Sequence, residues 1–318
     1  MSGGAGRARG GDATRGARTT EGADRTCAGF VALAGRPNVG KSTFVNAALA
    51  EKVAIVSDRP QTTRRAIRGV YQTDRCQVVL VDLPGVQRPR DALTARMARR
   101  VSQELEGADA ALLMLNAEQG VGAGDRFIAR ALAEGRAQPV TVAVNKIDRV
   151  PRVALVAVLE QAAALVEQAE VFPISARTGS GLEQLMSHLA SLMPEGPMMF
   201  DRAAVSDQPR EQLLAELIRE ALIRRTFHEL PHAVEVVVEE VETPRHGLVR
   251  VRALVWVESE SQKGIVIGAG GRMIKAVGSA ARRELERVLG SQVHLDLSVR
   301  VRRDWRGDEA LLDRLGIT

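Results

Sequence analysis

The sequence predicts an α/β fold in two domains: a sheet flanked by helices, followed by a smaller α+β domain. Two observations support this prediction. Between residues 30 and 193, short apolar runs alternate with longer helical patterns, which is typical of a mainly parallel sheet. After residue 207, the predicted order is a helix, two strands, a helical turn, a glycine-rich loop, a second helix and a last strand. A break at 193–197, MPEGP, separates the two patterns.

The strand candidates of the first domain are five apolar runs. They are residues 30–34, 78–82, 110–116, 140–145 and 171–175, and a helix is predicted for 181–192. In such sheets, ligands bind beyond the carboxyl ends of the strands. We therefore expect the residues that follow each run to lie in one crevice.

Length, hydrophobic content and charge limit the classes of protein to which this chain can belong. The chain has 318 residues, of which 45% are hydrophobic, so it can form two cores. It has no run of eighteen apolar residues and no apolar segment of the secretory type near residue 1, so we expect a cytoplasmic protein. The net charge of +5 weakly favours a polyanionic partner. Residues 1–26 are rich in Gly and Arg without an apolar period, and we expect them to be disordered.

The only cysteines are Cys27 and Cys76. They are far apart in sequence and lack the spacing of metal ligands. The pattern fits a reducing compartment and predicts no disulfide framework, so we expect each to be a small buried apolar residue.

Residues 35–42, GRPNVGKS, satisfy the pattern G-x-x-x-x-G-K-[ST] between a predicted strand and a predicted helix. Such a loop turns successive backbone N–H groups towards phosphate oxygens. Lys41 adds a positive charge and is a catalytic candidate, and the Ser42 hydroxyl is a magnesium-ligand candidate. Gly40 and Thr43 complete the predicted phosphate contacts. The sequence therefore predicts a nucleotide site here.

Two further stretches predict the magnesium and terminal-phosphate contacts. Asp82 ends a strand and can hold the magnesium shell, and Gly85, three residues later, can offer its N–H to a terminal phosphate. The polar stretch 60–64, PQTTR, contains a threonine that could bind magnesium only when a third phosphate is present. We favour Thr63 as metal ligand and catalytic residue, with Thr62 as the alternative.

The stretch Asn145-Lys146-Ile147-Asp148 follows another predicted strand and indicates the base. The Asp148 carboxylate can accept hydrogen bonds from N1 and N2 of guanine, an arrangement that adenine cannot match. Ser175 and Ala176 are small, so their backbone can approach guanine O6. Four motifs in this order predict a P-loop GTPase domain with a Ras-like mixed sheet flanked by helices, over residues 27–195.

One position departs from many small GTPases. Val86 stands where a glutamine often orients the attacking water, so we expect slow intrinsic hydrolysis. Another group must then position the water. Asn38 has two interpretations, a ligand for a monovalent cation such as K⁺ or a cap of the phosphate loop, and the sequence leaves both open.

The second domain is predicted to bind RNA. A linker, 196–207, precedes an amphipathic helix at 208–227 whose charges occupy the face opposite its leucines. Strands are predicted at 233–241, 248–257 and 293–301, and a helix at 272–289. The G-x-x-G loop from Gly268 to Gly271 lies between two helices, which is the arrangement of a KH module. A short helix near the end, 305–315, is expected to pack on this domain.

Charge and apolar residues near that loop define the RNA-site candidates. Residues 263–287 contain six Lys or Arg and two Glu. Isoleucines 265, 267 and 274 can form an apolar floor beneath the bases. The candidates are Lys263, Ile265, Ile267, Gly268, Ala269, Gly270, Gly271, Arg272 and Lys275. The domain is therefore predicted to be a type II KH domain over residues 208–318.

Together these stretches resemble the Era-like GTPases of the TrmE–Era–EngA family over residues 27–318. The matching motifs are GRPNVGKST, PQTTR, DLPG, NKID, SAR, IVIGAGG and a terminal DW-x-x-x-EALLDRLG. Relative to the family pattern, Leu83 replaces Thr, Arg177 replaces Lys, and Ala269 replaces Lys. The resemblance places Ser42 and Thr63 at magnesium, and Asn145 and Asp148 at guanine. Because Ala269 removes a phosphate-facing charge, we expect a lower RNA affinity.

The resemblance also implies the cofactors and partners. These are GTP or GDP and Mg²⁺, the 3′ end of 16S rRNA and the 30S subunit, together with a peripheral association with the inner membrane. A K⁺ ion is added by one of the two interpretations of Asn38. We expect a monomer that does not bind DNA. Two rivals are an RNA-binding scaffold in which the nucleotide is only structural, and a GTPase of tRNA modification.

Overall fold

A computed structural model describes residues 26–57, 59, 62–85, 91–134, 138–226 and 230–317. Residues 1–25 of the predicted N-terminal extension, Pro60, Gln61 and Val86 lie outside the described residues. Among those described, no helix is both long enough and apolar enough to cross a bilayer.

The first domain is a six-stranded sheet with helices on both faces, in the strand order β2-β3-β1-β4-β5-β6. All neighbouring pairs are parallel except β2 with β3. The strands are β1 (Cys27–Ala34), β2 (Ile67–Gln72), β3 (Cys76–Asp82), β4 (Ala110–Asn116), β5 (Val140–Asn145) and β6 (Val171–Pro173). The helices are α1 (Lys41–Leu49), α2 (Ala92–Gly107), α3 (Ala123–Glu134), α4 (Arg152–Ala163) and α5 (Leu182–Ser191).

The mixed sheet confirms the predicted fold class, and the apolar runs explain it. Every residue of β3 and β4 is buried, because helices cover both faces of the sheet. The sequence prediction missed β2, in which Arg68 and Gly69 interrupt the apolar pattern. Gly69 lies so close to α1 that a Cβ would come 2.6 Å from a methyl of Leu49. The last strand ends at Pro173, two residues earlier than predicted.

The segment predicted as a linker, 196–207, lies along the first domain. The Val205 carbonyl accepts a hydrogen bond from the Val70 backbone at 2.9 Å, on the edge of β2. The buried side chain of Gln77 accepts from Met199 N at 2.7 Å and donates to Phe200 O at 2.7 Å. These bonds fix the segment to β2 and β3.

The expectation of no disulfide is wrong in this structure. Cys27 and Cys76 face each other in the parallel register of β1 and β3, and their sulfurs are bonded. Their Cα atoms lie 4.6 Å apart although 49 positions separate them in sequence. Sequence spacing cannot reveal such a pair, because strand neighbours in a sheet are chosen by the fold.

We expect the Cys27–Cys76 bond to stabilise the first domain by about 2–4 kcal/mol, since it closes a long loop in the unfolded chain. Reductant should then lower the melting temperature of the oxidised protein by about 5–10 °C. Non-reducing peptide mapping detects the bond, and thermal melts with and without dithiothreitol measure the change in melting temperature. In the Cys27→Ser, Cys76→Ser double variant the melt should not respond to reductant. Absence of the linked peptide would contradict the pairing.

The second domain consists of a three-stranded sheet in the order β7-β8-β9 and helices that cover one face of it. Strand β7 is antiparallel to β8, and β9 is parallel to β8. Its strands are β7 (Glu235–Arg245), β8 (Leu248–Val257) and β9 (Gln292–Val301). Its helices are α6 (Arg210–Ile223), α7 (Leu230–Ala233), α8 (Glu260–Ile267), α9 (Arg272–Leu289) and α10 (Glu309–Arg314). The strand predicted from residue 233 begins instead at Glu235, after α7.

The C-terminal segment, residues 302–317, contacts the first domain as well as the second. Leu311, Leu312 and Trp305 share an apolar cluster with Leu93 and Met97 of α2. On the other side, the Trp305 ring N–H donates to the Ala233 carbonyl at 3.0 Å. The predicted packing of this segment on the second domain is therefore confirmed, and the contact with α2, which the sequence did not predict, joins the first domain to the second.

Candidate functional site

The phosphate loop connects β1 to α1 at the carboxyl edge of the sheet. The Lys41 ammonium donates to the carbonyls of Gly35 at 3.2 Å and Arg36 at 3.3 Å, so it spans the loop from inside. Gly40 has φ +105, and a Cβ there would lie 2.3 Å from the Asn145 side-chain nitrogen. Only glycine can therefore close this loop against the neighbouring strand end.

Three oxygen groups meet beside the loop. The Ser42 hydroxyl donates to Asp82 Oδ2 at 2.5 Å, and the Thr63 hydroxyl lies 3.1 Å from Ser42 Oγ and 3.4 Å from Asp82 Oδ2. The other oxygen, Asp82 Oδ1, is buried and has no hydrogen-bond partner among the residues that the structure describes. Hard oxygen ligands and an unpaired buried carboxylate oxygen fit Mg²⁺. Of the two threonines, Thr63 lies here, whereas the Thr62 hydroxyl donates to Arg59 O at 2.7 Å.

The charges at this site depend on one another. Burial raises the pKa of Asp82, while the charge of Lys41 and hydrogen bonds from Ser42 and Thr63 lower it. Burial likewise lowers the pKa of Lys41, and Asp82 raises it. A bound cation would favour the ionised carboxylate further.

Gly85 follows β3 and lies against the phosphate loop. A Cβ at this position would come 2.9 Å from Pro37 Cγ and 3.0 Å from Pro37 N. Gly85 lines one crevice together with Asn38, Thr43 and Thr63. The predicted phosphate-contacting residues are thus brought together, as expected from the shared edge of the sheet.

Asn145 connects three loops through its side-chain amide. Its Nδ2 donates to Val39 O at 2.9 Å, and its Oδ1 accepts from the backbone N–H groups of Lys146 at 2.8 Å and Ala176 at 3.0 Å. This function in holding the loops together was not predicted from the sequence. Because Ala176 N–H donates to Asn145 here, its contact with guanine O6 stays a prediction.

Asp148 has a defined orientation at the predicted base site. Its Oδ1 accepts from the Ser175 hydroxyl and its Oδ2 from Arg177, each at 2.6 Å. The Ser175 hydrogen bond, followed by that of Arg177, lowers the pKa of Asp148. The ionised carboxylate keeps acceptor capacity on both oxygens. Lys146 reaches the phosphate loop through Asn38 O, at 2.9 Å.

Residues 62–65, which we call the switch segment, bind the second domain. The Arg64 guanidinium donates to Val234 O at 2.7 Å and Glu235 Oε2 at 2.6 Å, and lies over the Trp305 ring. Arg65 donates to Glu216 at 2.7 Å. The sequence suggested that the charges of α6 face away from its leucines, yet Glu216 is buried in this contact. Sequence analysis gave no signal for it, because the partner residues are more than 150 positions away.

The G-x-x-G loop has the backbone geometry that requires glycine. Gly268, Gly270 and Gly271 have φ of +72, +60 and +75. A Cβ on Gly268 would come 2.7 Å from Met273 Cβ, whereas Gly270 and Gly271 face open space. Backbone can therefore be approached closely there, as a sugar-phosphate contact demands.

The other predicted RNA-site residues lie around this loop. Arg272 and Lys275 are exposed on the first turn of α9, Lys263 is half-buried on α8, and 57% of Ile265 is exposed. Beside them, α9 and β9 form a groove of about 360 Å³. It is lined by Ile274, Lys275, Gly278, Ser279, Arg282, Val293, His294, Leu295 and Leu297. Most of this lining could not be predicted from the sequence, since the two walls of the groove come from separate elements.

Family comparisons agree with both halves of this description. Residues 30–146 match the family described as 50S ribosome-binding GTPase, and residues 229–306 match the KH domain. GTPase Era of Mycobacterium tuberculosis (strain H37Rv) is 46% identical over 294 residues, which is 91% of this chain and 98% of the relative. The chain belongs to the GTPase Era family. The homologue from Mycobacterium sp. (strain KMS) is 44% identical with the same coverage.

Solved structures of the family extend the comparison to the whole architecture. A crystal structure of an Aquifex aeolicus Era variant bound to GDP·AlF₄⁻ has a TM-score of 0.88 at 33% identity, covering 92% of this chain and 100% of that one. Era in complex with MgGDPNP and nucleotides 1506–1542 of 16S ribosomal RNA has a TM-score of 0.87 at 32% identity, with 92% and 99% covered. The chain is therefore a GTPase with a C-terminal KH domain.

Proposed function

We propose that this GTPase binds the 3′ region of 16S rRNA through its KH domain and acts in assembly of the 30S subunit. The observation that carries the proposal is the positive-φ loop Gly268–Gly271 beside the groove between α9 and β9. The family relationship and the 16S rRNA segment bound in the related complex support this choice of RNA. Hydrolysis of GTP to GDP and phosphate then ends the state that holds the RNA.

The assignments in the nucleotide site follow from its geometry. Ser42, Thr63 and Asp82 would hold Mg²⁺, which would neutralise charge on the phosphates. Lys41 lies where its ammonium can move from loop carbonyls to phosphate oxygens, and Gly85 can donate its N–H to the terminal phosphate. We propose that the remaining contacts with phosphate and base are made by Asn38, Gly40, Thr43, Asn145, Lys146, Asp148, Ser175 and Ala176. We also propose that Asn38 is a ligand for a K⁺ ion near the phosphates.

The main experiment is equilibrium binding of a labelled oligonucleotide from the 3′ end of 16S rRNA at fixed salt. We expect tight binding with the GTP analogue GDPNP, weaker binding with GDP, and little binding of a scrambled oligonucleotide. Equal binding of the two oligonucleotides, with no difference between GDPNP and GDP, would contradict the proposal and indicate that this GTPase acts on another partner.

Removing charge beside the glycine loop should weaken this binding. We expect Arg272→Ala and Lys275→Ala each to reduce affinity about tenfold, because a charge-assisted phosphate contact is lost. The slope of log affinity against log salt should fall by about one for each lost contact. Ala269→Lys should raise affinity.

Arg250→Ala is the matched control for these variants. Arg250 is exposed on β8 of the same domain and pairs with Glu242 at 3.3 Å, outside the groove. Its replacement removes one positive charge without touching the loop. Equal losses in Arg250→Ala and Arg272→Ala would indicate a nonspecific electrostatic effect and would contradict the assigned site.

We further propose that the protein acts in the cytoplasm and associates peripherally with the inner membrane. This proposal rests on the family resemblance alone. Flotation with vesicles of phosphatidylethanolamine and phosphatidylglycerol, at low and physiological salt, tests it. Absence of the protein from the floating fraction under both conditions would reject the membrane association.

A further inference from the structure

The second domain holds the residues on both sides of Thr63. On one side, Arg219 of α6 donates a hydrogen bond to the Thr62 carbonyl. On the other side, Arg64 is fixed by Glu235 and by the carbonyls of Val234 and His232, the latter at 2.9 Å. Because adjacent Cα atoms are about 3.8 Å apart, two fixed neighbours leave Thr63 little freedom.

Glu216 and Glu235 organise this contact. Glu216 accepts from Arg65 at 2.7 Å with one oxygen and from Arg219 with the other. Glu235 accepts from Arg64 at 2.6 Å and lies 3.5 Å from Arg65. Both carboxylates are at least nine-tenths buried. Although burial alone raises it, the charges of Arg65, Arg64 and Arg219 lower the pKa of Glu235 to about 2.

The positive charges and hydrogen-bond donors of this contact are not fully paired, which is unfavourable for a contact with a purely structural role. Three guanidinium groups, of Arg64, Arg65 and Arg219, share two carboxylates in a region closed to solvent. Within the described part of the chain, Arg64 Nε, Arg219 Nε and Arg219 Nη1 have no hydrogen-bond partner. Well-packed apolar residues would stabilise an interface at least as well. What the charged arrangement adds is a fixed position for the switch segment.

We propose that Glu216 and Glu235 are positioning residues for GTP hydrolysis. Acting through Arg64, Arg65 and Arg219, they hold the Thr63 hydroxyl towards Ser42 and Asp82, where it lies 3.1 and 3.4 Å from their oxygens. The KH domain thus completes the magnesium site of its own chain. A ligand that rotates the KH domain relative to the first domain changes GTP hydrolysis through the same contact. This extends the proposed coupling between nucleotide state and RNA binding, and it rests on the GTPase activity.

The test uses the full chain with Glu235→Gln and Glu216→Gln, each of which keeps side-chain size and removes the charge. Single-turnover GTP hydrolysis is measured over a Mg²⁺ titration, without RNA. We expect the rate constant at saturating protein concentration to fall at least tenfold and the half-maximal Mg²⁺ concentration to rise several-fold. GDP affinity should not change, because no contact to the phosphate loop or base site is altered.

The matched controls are Glu240→Gln and Glu242→Gln. These glutamates lie on β7 like Glu235 but pair with Arg252 and Arg250 on the exposed side of the domain. They should hydrolyse GTP at the wild-type rate. Arg219→Lys is a second variant that keeps the charge and one donor for the Thr62 carbonyl, and its rate should fall less than that of Glu216→Gln.

The outcomes separate this inference from the RNA proposal. Wild-type rates and Mg²⁺ dependence in folded Glu235→Gln and Glu216→Gln would overturn it, whatever the RNA affinity. A lower rate with unchanged Mg²⁺ dependence and a parallel loss of GDP affinity would also overturn it, since that indicates general loosening of the first domain. If Glu235→Gln fails to melt cooperatively, Arg219→Lys and Glu216→Gln decide by the same criteria.

Discussion

Replacing Lys41 by alanine is expected to abolish measurable GTP hydrolysis. Lys41 is 7% exposed, and its ammonium is held inside the phosphate loop by the Gly35 and Arg36 carbonyls. Loss of a preorganised charge that opposes the phosphates costs about 10²–10³ in rate. We expect GTP affinity to fall about 100-fold in addition, because a charge-assisted hydrogen bond in a closed site is lost. Phosphate release and nucleotide titration measure the two effects.

Lys275→Ala is the control for the Lys41 variant. It removes an exposed lysine of the KH domain that does not line the nucleotide crevice, and it should leave phosphate release unchanged. Hydrolysis above background in Lys41→Ala would show that the loop does not work as the geometry indicates. It would also support the alternative hypothesis of an RNA-binding scaffold in which the nucleotide is only a structural ligand.

Asp148→Asn should change the base that the protein accepts. A carboxylate accepts from both N1–H and N2–H of guanine, whereas an amide can accept at N1–H and donate to the carbonyl that xanthine carries at C2. A site built for hydrogen bonds rejects a mismatched ligand strongly, so we expect GTP affinity to fall about 10³-fold. Xanthosine triphosphate should bind more tightly to the variant than to the wild type. Competition against a fluorescent guanine nucleotide measures both.

Arg177→Ala separates the base contact from the support of the carboxylate. Arg177 also binds Asp148, at 2.6 Å, but its side chain is 67% exposed. An exposed ion pair contributes little, so GTP affinity should fall less than about fivefold. If Asp148→Asn and Arg177→Ala have equal effects, or if the asparagine variant does not gain xanthine binding, the assignment of Asp148 to the base is wrong.

The sequence by itself determined the features that depend on local order. Gly35–Ser42, Asp82–Gly85 and 145–148 each follow an apolar run, and parallel strands bring such positions to one edge. The glycine loop at Gly268–Gly271 could be recognised because backbone with positive φ needs glycine whatever surrounds it. Helix α9 was predicted with its observed bounds for the same reason, since glycine stands at both ends.

Only the tertiary structure decided which distant residues meet. The bonded pair Cys27–Cys76 depends on the strand order, and the packing of Trp305 and Leu312 near α2 depends on the arrangement of the two domains. The contact of Arg64 with Glu235 joins residues 171 positions apart. Local sequence carries no information on such pairs, because their stability comes from burial and charge pairing that exist only after both domains have folded.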